Sequence, residues 1–160
     1  MTGIDPEGRA AWQAQIPGLR RFWEPVVARV LADVERTTSV DVTWSVELVE
    51  WQLDPEPSPG FWLNPGPQPL PVRDVPFPSL QLRLLHQWFD LRVLDDAEEA
   101  AAELAGVLQD YVIEELPGAW PVCEGHAHPM QSDRTEDGAV WRCPVDPAGT
   151  TAIGCLTTVG

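Results

Sequence analysis

The chain contains no lysine. Its 10 cationic side chains are all arginine and face 25 aspartates and glutamates, for a formal net charge of -15. A surface so short of positive charge is repelled by phosphate backbones and anionic headgroups. Nucleic acid and membrane surfaces are therefore excluded as expected partners. A protein partner, preferably basic, fits the charge, as does solubility alone. Long apolar runs are missing too, and none approaches the ~20 residues that span a bilayer. Met1 to Trp12 shows no apolar signal-peptide region, so a cytoplasmic location is expected. Cysteine is scarce, with 3 residues at 123, 143 and 155. An odd set gathered late in a leaderless chain suits a reducing compartment better than a disulfide framework. The familiar catalytic signatures are absent as well: His-Glu-x-x-His, Gly-x-Ser-x-Gly, the P-loop, Gly-x-Gly-x-x-Gly and the zinc-deaminase pattern.

What is present is enough for one domain. The chain has 160 residues, 44% hydrophobic and 22% charged, a composition that buries a core without covalent staples. Residues 1–17 are polar and marked by Gly and Pro, and read as a loose N-terminal arm. From Leu19 the apolar positions recur at helical spacing through Trp23, Val27, Val30 and Val34, which predicts a helix over 18–36. Val40 to Leu48 alternates apolar and polar residues, the mark of a half-buried strand, and the phase flips at Val49 to Leu53 as at a bulge or bend. Residues 54–78 hold nine prolines, which excludes central strands there and predicts a long ordered loop with one edge strand near 70–75. Alternation returns from Leu80 to Val93, with a second flip near Trp88. Asp95 and Asp96 ahead of Glu98 and Glu99 start a second amphipathic helix over 96–116, stopped by Pro117-Gly118.

The expected fold class is α+β: two amphipathic helices on one face of an antiparallel sheet within 18–116. A small Cys/His module over 117–160 completes the chain. His86 reads as a core histidine and Glu114-Glu115 as a solvated helix face.

That module carries the only candidate chemistry. Cys123-x2-His126 puts two metal-binding side chains on one tight turn, and Cys143 can close the site from a second turn. Asp137-Gly138 marks the hairpin that folds the Trp141 strand back toward Cys123. Tetrahedral zinc needs a fourth ligand, and His128, Asp146 and Cys155 are the candidates. Read from the residues alone, bound zinc, a knuckle held by packing, and a disulfide or free thiols all stay open. The segment 120–156 resembles the zinc ribbon, a two-knuckle β-hairpin module, with Trp141 two residues before Cys143 and Pro144 after it. The resemblance implies a structural zinc ion. The chain departs from that pattern at the second knuckle, where Asp146 stands in place of a second cysteine.

The expected metal ligands are thus Cys123, His126, Cys143 and His128. The favoured function is a non-catalytic interaction protein: an adaptor, accessory subunit or inhibitor. The alternatives are a small zinc-dependent hydrolase using His126 and His128, and a structural subunit of a larger assembly. His126-Ala127-His128-Pro129 resembles the His-x-His-Pro of deubiquitinase-type metallopeptidases, but Ser132 and Asp133 follow too soon for that pattern.

Overall fold

A computed structural model describes residues 6–49, 79–84, 87–91, 94–146 and 148–158. The proline-rich loop at 54–78, its edge strand, residues 50–53 of the phase flip and His86 fall outside them.

The first helix, α1, spans Pro6–Thr37. It starts far ahead of the expected 18, and the arm expected over 1–17 is helical from Pro6 onward. The apolar stripe covers only the later turns, because those are the turns that meet the core. The earlier ones include three Ala, two Gln, Glu7 and Arg9, which favour a helix without a burial surface, alongside the weaker helix formers Gly8 and Pro17. Pro17 and Pro25 lie inside α1. Each removes one backbone N–H, but both are exposed, so the carbonyls left over face water. The end is fastened by Thr37 Oγ1, which donates to Asp33 O at 2.6 Å, and Thr38 Oγ1, which donates to Val34 O at 2.8 Å.

Strands β1 (Trp44–Val49), β2 (Ser79–Leu84) and β3 (Gln87–Leu91) form an antiparallel sheet in that order. The register pairs Trp44 with Leu84 and Leu84 with Gln87. The flip near Trp88 is therefore a reversal of direction between two strands, not a bulge within one. A bulge and a reversal both move the apolar set to the other parity, and no Gly or Pro marked the turn.

Helix α2 spans Ala97–Glu115, close to expectation, with Asp96 as its N-cap accepting from Glu98 N at 2.8 Å. Beyond it, β4 (Gln131–Thr135), β5 (Gly138–Arg142) and β6 (Thr150–Ala152) make a second antiparallel sheet. The turn at Asp137-Gly138 joins β4 to β5 as expected, with Thr135 opposite Gly138.

The two helices do share one sheet face, but the face belongs to this C-terminal sheet. Ser132 pairs with Trp141 and Arg134 with Ala139, and directly opposed residues point to one side. On that side Arg134 meets the α2 cap Asp96 at 2.9 Å, while Trp141 Nε1 donates to Asp33 of α1 at 2.7 Å. Residues 117–160, expected as an appended module, supply Trp120, Met130, Trp141, Ile153 and Leu156 to the same hydrophobic cluster as Trp23, Val30, Leu104 and Leu108. The reason lies in length: a three-stranded sheet of this size has no second layer of its own and buries its apolar face on the helices.

Candidate metal centre

Two turns present the Cys/His residues. The first runs from Val122, bridged to Pro129, and is closed by Met130 N donating to Pro121 O at 2.8 Å. Inside it Cys123 N donates to His128 O at 3.3 Å, and His126 N donates to Cys123 O at 3.2 Å. Gly125 takes φ 80° there, a left-handed conformation that suits glycine. The second turn follows β5, where Cys143 N donates to Gly149 O at 2.9 Å and Gly149 N to Asp146 O at 3.0 Å. A Cβ at Gly149 would lie 3.3 Å from both Asp146 O and Cys143 Cβ, so a larger residue would have to push this turn open by a few tenths of an ångström.

The turns bring Cys123, His126, His128 and Cys143 together, with one ligand atom from each lying within 4.8 Å of the others. His126 Nδ1 stands 3.3 Å from Cys123 Sγ and 3.4 Å from Cys143 Sγ. His128 Nε2 is 4.0 Å from Cys143 Sγ. Tetrahedral zinc with its usual bond lengths sets S···N separations of about 3.6 Å, and the three distances bracket that value. The donor set is chemically apt: two thiols and two imidazoles are zinc's common partners. Both sulfurs are buried, His128 is half-buried and His126 is exposed.

Outer contacts orient the ligand atoms. His128 Nδ1 lies 3.1 Å from Pro129 O, which leaves Nε2 as the ring nitrogen toward the cluster. The two imidazoles stack, with centroids 5.0 Å apart. Asp146 N donates to Cys143 Sγ at 3.1 Å. Burial pushes the Cys123 thiol up to about 11, helped by the Cys143 sulfur and by the charges of Asp146 and Glu124. For Cys143 burial pulls upward as well. The Asp146 N–H, the hydrogen bond from Cys123 and the Val145 N–H outweigh it and hold this thiol below its ordinary value. A divalent cation bound by both sulfurs would displace their protons.

Of the three candidates for a fourth ligand, His128 is the one that lies in the cluster. Asp146 contributes its backbone N–H, while its carboxylate accepts from Ala148 N at 3.0 Å. Cys155 is exposed and outside the cluster. Three ligand candidates come from the first turn and one from the second, unlike the even division that the zinc ribbon implies.

A cleft of ≈ 400 Å³ opens at the cluster, lined by Cys123, Glu124 and His126 of the first turn and by Cys143, Asp146 and Gly149 of the second.

Sequence reasoning missed the polar groups that fasten this region to α1. Asp33 is fully buried. Its Oδ2 accepts from Trp141 Nε1 and Gly154 N, both at 2.7 Å, and its Oδ1 accepts from Leu156 N at 2.8 Å. Arg29 donates to Ile153 O at 2.8 Å and to Glu98 Oε1 at 2.7 Å, while Glu98 Oε2 accepts from Ala139 N at 2.7 Å. One signal was available: Asp33 sits among Val30, Leu31 and Val34, an acid on the apolar face of a helix.

No family model, no curated protein and no solved structure matches the chain. Among the described residues no helix is long and apolar enough to cross a membrane.

Proposed function

We propose that this chain is a non-catalytic protein-interaction domain in which Cys123, His126, His128 and Cys143 hold a structural zinc ion. One observation carries the reading: four apt ligand atoms converge within 4.8 Å from two separate turns. Four protein ligands close a zinc site, whereas a hydrolytic site keeps one position for water. With His128 Nε2 turned toward the cluster, the hydrolase reading would need a position that this imidazole fills. The expected partner is a protein, basic because the chain carries -15, and neither nucleic acid nor a membrane surface is expected.

Elemental analysis of protein purified without added metal tests the site. About one zinc per chain is expected, falling to near zero in Cys143→Ser. Metal-free wild type that neither takes up zinc nor loses stability on chelation would end the reading. Zinc-dependent hydrolysis of peptide or ester substrates, lost with His128→Ala, would establish the hydrolase in its place.

A further inference from the structure

The two turns that carry the cluster also frame the cleft, and its lining has a definite chemistry. Trp120, Met130 and Leu156 form an apolar floor and are themselves almost fully buried. Val122 stands at the lip, 55% exposed, although it is a large apolar residue beside a well-packed turn. Glu124 and Asp146, one from each turn, are exposed residues of the lining, and among the described lining residues there is no arginine. Thr150 and Thr151 of the edge strand β6, together with Thr157 and Thr158, supply hydroxyls around the rim.

We propose that this cleft docks a short cationic and apolar peptide segment of a protein partner. An apolar side chain would rest on the floor beside Val122, and an adjacent arginine or lysine would meet Glu124 and Asp146. The proposal rests on the interaction-domain reading above and names the surface and the partner chemistry. Charge complementarity selects the occupant: two carboxylates face the cleft in a chain of -15, so an acidic segment is repelled. Volume limits it: ≈ 400 Å³ lies at the small end of the range of about 300–1,000 Å³ for ligand pockets, which suits one or two side chains rather than a domain face. Cys123, His126 and Cys143 of the cluster are themselves part of the cleft lining. A metal joining them would tie together the two turns that carry Glu124 and Asp146 before the peptide arrives, so less ordering is needed on binding.

The test is an amide-resolved NMR titration of the full, zinc-loaded chain with three probes. These are an acetylated leucine-arginine-leucine amide, its leucine-glutamate-leucine counterpart, and arginine amide alone. Shifts at Val122, Glu124, Thr151 and Leu156 are expected with the arginine tripeptide only. The Glu124→Gln/Asp146→Asn double variant should weaken that binding roughly three- to tenfold, the range for two exposed ion pairs. Both substitutions keep side-chain shape, and an unchanged zinc content confirms that the site persists. Equal binding of the glutamate peptide, binding of arginine amide as tight as that of the tripeptide, shifts confined to another surface, or no shifts at all would each overturn the proposal. Zinc content measured on the same sample separates the failures. Stoichiometric zinc without peptide binding sinks the docking site alone, and absence of zinc sinks the structural-site reading.

Discussion

Asp33 is the side chain whose chemistry most constrains its surroundings. A carboxylate with no exposed surface is tolerated because three N–H groups aim at it: an indole and two backbone amides. An amide in its place would set one NH2 against a donor. Asp33→Asn should therefore lower unfolding free energy by about 1–3 kcal/mol, read from urea melts. A loss within ±0.5 kcal/mol, the range of ordinary surface substitutions, would show that the network is slack. Glu98 gives a pH signature. The hydrogen bond from Arg29, then that from Ala139 N, hold its carboxyl below the ordinary 4.5. With the folded value depressed, its contribution to stability is fully present above the ordinary value and is lost as pH falls through the folded one. Wild type should lose more stability than Glu98→Gln between neutral pH and about pH 3.5. Parallel acid limbs for the two proteins would contradict the assignment. His128 belongs to the same scale. Sequence spacing favoured it as fourth ligand over Asp146 and Cys155, although all three can reach a nearby turn. Only the folded chain shows which of its nitrogens faces the cluster, Nδ1 lying against the carbonyl of Pro129 and Nε2 toward Cys143.

At the scale of elements, the β4–β5 turn ties the sheet to α2. Gly138 has φ 128°, and a side chain there would sit 2.7 Å from Glu98 Oε2. Gly138→Ala thus forces strained backbone and displaces the carboxylate that bridges Arg29 and Ala139 N. A loss of about 1–3 kcal/mol is expected, the range for such backbone strain. A thermal melt like that of wild type would mean the turn relaxes freely. Asp-Gly was legible as a turn because few residues accept positive φ. The reach of Glu98 to that turn was not, because it depends on how α2 lies over the sheet. Helix α2 itself was legible almost to the residue, since its acidic cap and its Pro-Gly stop are local signals. The start of α1 was not, because periodicity detects burial, and the described side chains from Glu7 to Gln15 are exposed.

At the scale of the whole molecule, the C-terminal turns share one core with both helices. An appended module would loosen by itself when its cluster is broken. Here Cys143 and Cys123 are buried within the common cluster, so Cys143→Ser should lower the midpoint of a single cooperative transition. Chelation of wild type should do the same by removing a ligand bound only to the folded state, with a shift that depends on free zinc concentration. Two transitions, with helix signal persisting after the first, would show that the helical body folds without the C-terminal sheet.

The sequence by itself determined the helices' apolar faces, the strand alternation, the turn at Asp137-Gly138, the acidity and the three residues Cys123, His126 and Cys143 of the cluster. Each of these is written in local spacing, side-chain type or summed charge. Tertiary structure decided the rest: which sheet the helices cover, the reversal between β2 and β3, the place of His128 and the burial of Asp33. Those depend on which surfaces meet. An amphipathic stripe states that it needs a partner, and apolar contact, being without direction, leaves the identity of that partner to the packing of the whole chain.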